Sequence, residues 1–206
     1  MKAAGLRSKV KRKFKATTDS KHGHPIAPNL LNQDFTVESP NTVWVSDITY
    51  IWTDEGWLYL ATTMDLYSRA VVGWSMDSRM KSDLVVSALN MALGRRAPTD
   101  GLIHHSDRGV QYAAKPFQDL LDENSIVCSM SRKGNCYDNA VQESFYHSLK
   151  TELVHHELYR TREQAKTSIF DYIEVFYNRL RLHSSLGYVS PLVFEAQRDE
   201  LQRRAG

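Results

Sequence analysis

The sequence predicts an α/β fold. It comprises a mixed five-stranded sheet, three antiparallel strands followed by parallel ones, flanked by helices and carrying a C-terminal helical extension. Three observations predict it. Runs of β-branched and aromatic residues follow one another across short turns between residues 43 and 76. The apolar period then changes to that of a helix, and helical and strand patterns alternate from there. Residues 156–206 read as helices again, with a capping box and a Ser-Pro start.

The first strand is VWVSDITYIWT, followed by the turn Asp54-Glu55-Gly56 and the second strand WLYLATTMD. A turn around Leu66-Tyr67-Ser68 leads into RAVVGWSM, which completes an antiparallel meander. In KSDLVVSALNMALG, residues 81–94, Leu84, Val85, Ala88, Leu89 and Ala92 share one helical face, and Gly94 is the expected stop. A linker with Pro98 and Gly101 precedes the short strand LIHHS. Strand–helix–strand succession implies a right-handed crossover, so this fourth strand should run parallel to its neighbour. Residues 115–124 read as a helix with Phe117, Leu120 and Leu121 inward, and IVCSM as the fifth strand. This order is that of an RNase-H-like fold, although order alone also fits other α/β folds.

After the polar loop SMSRKGNCYD a helix begins near Asp138, with Val141, Phe145 and Leu149 as its buried stripe. Thr161-Arg162-Glu163-Gln164 is a capping box. It opens a helix with Ala165, Ile169, Tyr172, Ile173, Phe176 and Tyr177 inward. Ser190-Pro191 starts a short last helix, serine at the N-cap and proline at the first turn.

Composition narrows the classes. The chain is 42% hydrophobic and 24% charged, ordinary for a globular protein. No apolar run approaches the roughly 20 residues that cross a bilayer, and the N-terminus lacks the apolar core of a secretory signal. Cys128 and Cys136 fit neither a disulfide framework nor a zinc spacing, so a reducing, cytoplasmic setting is expected. The net charge of +2 conceals an asymmetry: +7 over residues 1–24, −6 over 25–149 and +1 over 150–206. Residues 1–39 therefore read as a basic arm and an extended linker, the latter marked by Pro25 and Pro28. Residues 40–155 read as the α/β core, and 156–206 as the helical extension. A basic arm on an acidic core fits a polyanion held by the arm, or a solvated tail.

Three acids attract attention. Asp47 lies inside the first, strongly apolar strand, where a charge is costly unless paired, at an edge or bound to a cation. Arg69 or Arg108 could pair with it. Asp107, in HHSDRGVQY, ends the fourth strand and could equally be a helix cap or turn residue. If strands one and four are parallel neighbours, both acids face one crevice, the usual ligand position in such sheets. On the late helix, Asn139, Glu143, His147 and Lys150 fall opposite the buried stripe, Glu143 and Lys150 two turns apart. Such a face is either plain solvated surface or a carboxylate and a lysine that serve a phosphate together. Asp65 and Arg69 read as hairpin-turn residues. His104 and His105 alternate to opposite faces, with structural or ligand-contact roles rather than metal ligation.

Asp47, Asp107 and Glu143, with 35 residues between the last two, resemble the Asp-Asp-Glu core of retroviral-integrase-like transposases, specifically the orfB-type subunit of bacterial insertion sequences. WVSDITYI, MDLYSRAVVGWSM, HHSDRGVQY, NCYDNAVQESFYHSLKTEL and YNRLRLHSSLGYVSPLVFE all look like blocks of that family, in order. The resemblance implies DNA cleavage and strand transfer without a covalent protein intermediate. It implies two Mg²⁺ ions, replaceable by Mn²⁺, roughly 3.5–4 Å apart and stabilising the attacking and leaving oxygens. Asp47 would bridge the ions, and Asp107 and Glu143 would hold one each. The acids account for the negative core, which repels DNA until metal arrives. Three such carboxylates cannot all ionise comfortably without metal, so a raised pKa and a splayed or partly protonated site are expected.

Lys150 is the expected contact to terminal bases or phosphate, with Asn139 beside it. Arg132 and Lys133, in a 129–137 segment expected to order on DNA, Lys11, Arg12 and Lys13 of the arm, and Arg179 and Arg181 complete the DNA-contact candidates. Arg179, Arg181 and His183 could also be plain surface charge. Grip by the arm should weaken steeply with salt. The chain leaves no room upstream for a helix-turn-helix, so the resemblance implies one in an additional protein or domain. It also implies an oligomer on DNA, no membrane partner, and a bacterial, nucleoid-associated location. A nuclease of the same fold that only hydrolyses, or a non-catalytic DNA-binding descendant, are the alternatives.

Overall fold

The computed structural model describes residues 23–132 and 139–205. Its centre is a five-stranded sheet: β1 (Val43–Thr53), β2 (Gly56–Asp65), β3 (Val71–Asp77), β4 (Ile103–Ser106) and β5 (Val127–Met130). The spatial order is β3-β2-β1-β4-β5. β1–β2 and β2–β3 are antiparallel, whereas β1–β4 and β4–β5 are parallel, as the element order predicts. Asp65 fixes the second turn. It accepts the backbone N–H groups of Tyr67 and Ser68 on one oxygen and those of Asn41 and the Trp44 indole on the other.

Helices α1 (Ser82–Arg96) and α3 (Lys115–Glu123) cover one face of the sheet, joined by the short α2 (Val110–Ala113). There Trp44, Ile48, Ala61 and Val72 pack against Leu84, Val85, Ala88, Leu89 and Ala92 of α1 and Phe117 and Leu121 of α3. α1 does not stop at Gly94. It runs on to Arg96, and Ala97 takes the left-handed conformation (φ 41°) just before Pro98, which cannot continue a helix. Leu120 is half-buried rather than core.

On the other face lie α4 (Ala140–Glu152) and α5 (Arg162–Asp171). Val45, Ile51, Leu60 and Met64 meet Phe145, Leu149, Ala165, Ile169 and Ile173 there. The C-terminal extension thus shares its core with the sheet. The Thr161 and Gln164 capping box is formed as expected. Past Asp171 the helix widens into a π-type turn, Tyr172–Tyr177. That turn shifts the phase: Tyr177 and Asn178 are buried, and Phe176, expected inward, is exposed. Asn178 then bonds both backbone groups of Val71. α6 (Pro191–Ala205) closes the chain. Ser190 donates no cap there; its carbonyl accepts Phe194 N–H while its hydroxyl is buried without a partner.

The linker is docked. Pro28 O accepts Met130 N–H, Leu30 N–H donates to Ser129 Oγ at 2.9 Å, and Leu31 is buried.

Candidate active site

The parallel register between β1 and β4 builds the site. Val45 pairs with His105 and Ser46 with Ser106, the last couple of the ladder. Asp47 and Asp107 are the next residue on each chain. Residues in one row of a parallel sheet share a face, and Val45 lies in the α4-side core. Both aspartates therefore face the side on which α4 packs. The two histidines separate as alternation requires. His104 Nε2 bonds Ser46 Oγ at 2.8 Å and packs on Phe117, while His105 Nδ1 bonds Ser129 Oγ at 2.8 Å. Burial, with His105 adding to it, lowers the His104 pKa to about 3, so His104 is neutral.

Helix α4 brings the third acid. Phe145 and Leu149 are buried as expected, Val141 is half-buried against the same core, and Gln142 and Tyr146 widen the inward stripe. Glu143 is exposed at the first turn and Lys150 is half-buried in the last. Asn139 departs from the open face assigned to it. It is 7% exposed, and its amide donates to Ser46 O at 3.3 Å.

A buried polar chain seats the helix. Gln142 Nε2 donates to Thr62 Oγ1, Thr62 and Tyr146 hydroxyls share a hydrogen bond of 2.8 Å, and Tyr146 OH donates to Asp47 O at 2.5 Å. With the tyrosine proton on Asp47 O, the Thr62 hydroxyl donates to Tyr146. The residue beside Glu143 is thereby wired to the backbone of Asp47. Thr62 is itself the β2 partner of Asp47.

The acids sense one another. Burial, then the charge of Asp107, raises the Asp47 carboxyl well above its ordinary range. Glu143 pushes the same way, while the Ile48 N–H and Lys150 oppose it. Burial also raises Glu143 and lowers the Lys150 ammonium. Each aspartate is held locally, Asp47 Oδ1 on Ile48 N–H and Asp107 Oδ1 on Gly109 N–H, both at 2.8 Å. Among the described residues no three acidic, imidazole or thiol side chains stand close enough together to hold a metal ion as they are placed. The donor set nonetheless suits a hard divalent cation: carboxylate oxygens, mutually repelling, with two raised pKa values that a positive ion would relieve. Tyr112 lies at the same place, 1% exposed, with its hydroxyl unpartnered and its pKa raised by burial and then by Asp47.

Other candidates lie apart. Arg181 is committed to Glu152 at 2.6 Å, and also donates to Ser148. Arg179 is exposed and bonds Glu174 O. Arg132 is exposed at the edge of the described segment, donating to Asn32 Oδ1. Lys11, Arg12, Lys13, Lys133 and residues 133–137 of the loop lie outside the described residues. Gln142, Tyr146, Thr62 and Tyr112 were missed by sequence reasoning. The only signal was a polar and an aromatic residue four apart beside the apolar stripe of α4.

The integrase core domain family matches residues 37–136, and a second integrase core domain family matches residues 143–198. The chain is 52% identical to the Insertion element IS600 uncharacterized 31 kDa protein of Shigella sonnei, over 92% of this chain and 70% of that one. It is 50% identical to Transposase InsF for insertion sequence IS3fB of Escherichia coli (strain K12), over 96% of this chain and 68% of that one. A chain of the simian T-cell lymphotropic virus intasome superposes with a TM-score of 0.65 at 18% identity, covering 86% of this chain and 60% of that one. The HTLV-2 integrase catalytic core domain in complex with magnesium gives 0.58 at 17%, covering 76% and 97%. At such identities the likeness speaks for the fold, which is RNase-H-like. No described helix is long and apolar enough to cross a membrane. By its sequence relatives and its fold, the chain belongs to the insertion-sequence transposases with an integrase core.

Proposed function

We propose that this transposase cleaves DNA at the ends of a mobile element and joins them to a target, at a site formed by Asp47, Asp107 and Glu143. The observation that carries the reading is the register: two aspartates one step past the last β1–β4 pair, on the face where α4 presents Glu143 and Lys150. Asp47, Asp107 and Glu143 would hold divalent cations, two Mg²⁺ with Mn²⁺ as substitute, Asp47 being shared. When bound, these supply charge stabilisation for in-line attack at phosphorus.

Water attacks a phosphodiester, the bond to the 3′ oxygen breaks, and a 3′-hydroxyl is freed. That hydroxyl then attacks a second phosphodiester and displaces another 3′ oxygen. The protein's own part is positional. The Gln142–Thr62–Tyr146 chain holds α4 against Asp47 O, so that Glu143 keeps its distance from the aspartates. Lys150 offers its ammonium to a phosphate beyond them. Joining two ends takes two such sites, so the chain works as an oligomer on DNA, in the bacterial cytoplasm and nucleoid. Recognition of the ends is assigned to a helix-turn-helix protein or domain additional to this chain. The arm and Arg132, Lys133, Arg179 and Arg181 are secondary DNA contacts, with Arg181 first released from Glu152.

The test is a strand-transfer assay with a pre-cleaved end and Mn²⁺. Joined products support the proposal. Hydrolysis alone would mark a nuclease of the same fold.

A further inference from the structure

The β1–β2 hairpin carries an aromatic surface that the chemistry above does not use. Trp52 is 57% exposed and Trp57 42%. They are direct cross-strand partners, with ring centroids 4.8 Å apart, and Tyr50 meets Trp57 at 4.9 Å. Cross-strand aromatic pairs do stabilise hairpins. Here, however, Ile51 and Leu58 already fill the core beneath, both essentially fully buried. Two large rings left facing water beyond them mark a contact surface rather than a packing need.

Tyr50 and Trp52 alternate to the face of β1 opposite Asp47, and Lys150 links the two faces. Lys150 Nζ sits over the Tyr50 ring, 5.2 Å from its centre, and acts on Asp47 as well. The ladder with β4 ends at Ser46, so that side of β1 is open of strand pairing from Asp47 to the hairpin tip. His147, His155 and His156 are exposed on α4 and the turn after it. Burial, then Lys150 and then His156 and His147, hold His155 below its ordinary pKa, which places these side chains together and keeps the His155 imidazole neutral. At the tip Asp54 is exposed, and Glu55 is turned to the start of α5, where Oε2 accepts Arg162 N–H at 2.9 Å.

Aromatic rings beside a lysine and a run of imidazole donors fit one occupant. In duplex DNA the base faces are sealed in the stack, whereas unpaired bases offer flat π surfaces that aromatic side chains can cover. Phosphates between those bases need the neighbouring lysine and imidazole donors. We infer that Tyr50, Trp57 and Trp52, continued by Lys150, bind an unpaired stretch of the DNA substrate, bases against the rings and phosphates against Lys150 and the histidines. The inference rests on the strand-transfer reading and adds to it: the enzyme holds DNA with its end opened rather than as intact duplex.

The experiment is a fluorescence titration of the full chain in EDTA, which prevents cleavage. The probes are a strand of about 12 nucleotides, within the site size of such surfaces, and the same strand annealed to its complement. Trp44 is buried and Trp74 is packed against Phe170, so quenching reports on Trp52 and Trp57. The single strand should quench emission and bind more tightly than the duplex. Trp52→Ala and Trp57→Ala should each weaken single-strand binding roughly five- to a hundredfold, and duplex binding less than about twofold. Trp52→Leu, which keeps apolar bulk, should lose nearly as much, with melting temperatures confirming that each variant folds. Equal losses on both probes, or unchanged single-strand affinity, overturn the inference. So does a self-association, seen by sedimentation, that Trp52→Ala abolishes, because the rings would then cover a second copy. Wild-type strand transfer run alongside separates the failures: joining without single-strand preference sinks only the aromatic surface, whereas no joining sinks the reading beneath it.

Discussion

Two helices, α1 and α4, cover opposite faces of the same sheet, and they do so with different chemistry. α1 buries only Leu84, Val85, Ala88, Leu89 and Ala92. It comes so near β3 that a Cβ on Gly73 would meet Ala88 O at 2.2 Å and Ala92 N at 2.7 Å. α4 buries Phe145 and Leu149 too, but beside them Gln142 and Tyr146, both spent on polar bonds to Thr62 and Asp47 O. Apolar packing is non-directional and tolerates small slides. A hydrogen-bonded chain fixes one position. The α1 face holds the fold together; the α4 face holds one carboxylate against two others.

Four experiments can break or sharpen that contrast, and they run from the largest effect to the smallest. Glu143→Gln should cut strand joining on the order of 10³-fold or more while leaving DNA binding by gel shift intact. Unchanged joining would remove Glu143 from the site. On the opposite face, Gly73→Ala should destabilise by about 2–3 kcal/mol, because backbone must move to admit the methyl. That is a melting drop of several degrees for a chain of this size, with joining per folded molecule unchanged. Tyr146→Phe should affect joining as well as stability. It should slow joining roughly tenfold by freeing α4 from Asp47 O, for a stability loss of about 1–3 kcal/mol. If Tyr146→Phe costs only stability, the polar chain is packing and nothing more.

The smallest effect concerns pH. Burial and Asp107 raise the Asp47 pKa on folding. The folded protein therefore binds that proton more tightly than the unfolded chain. The associated stabilisation is present below the unfolded value and is lost as pH rises through the folded one. Asp47→Asn should thus melt higher than wild type at pH 8, with the gain shrinking toward pH 4. Mg²⁺ should raise the wild-type melting temperature and leave this variant unmoved. A gain that does not depend on pH would deny that Asp47 is strained by its neighbours.

The contrast also explains what could be read from residues alone. The strands, their order and the α1 face follow from periodicity, because burying apolar groups imposes a repeat. Asp47 and Asp107 were legible as anomalies, a charge inside VWVSDITYI and another at a strand end, though it took the family resemblance to join them with Glu143 as one candidate site. Gln142 and Tyr146 were not, since polar atoms that satisfy one another in a core leave no repeat to detect. For the same reason Asn139 was assigned to the open side of α4, whereas its partner is the carbonyl of Ser46, 93 positions earlier in the chain. The π-type turn that moves Phe176 outward depends on Asn178 reaching Val71, another contact distant in sequence. Tyr50, Trp52 and Trp57 gave a strong strand signal, which hid the fact that the two tryptophan rings face water.

The most direct measurement is a crystal soaked in Mn²⁺ and examined by anomalous diffraction. The account predicts peaks bonded to carboxylate oxygens of Asp47, Asp107 and Glu143, with the Tyr146–Asp47 O bond in place. Ions bound elsewhere, with any of the three acids turned away from the other two, would contradict it.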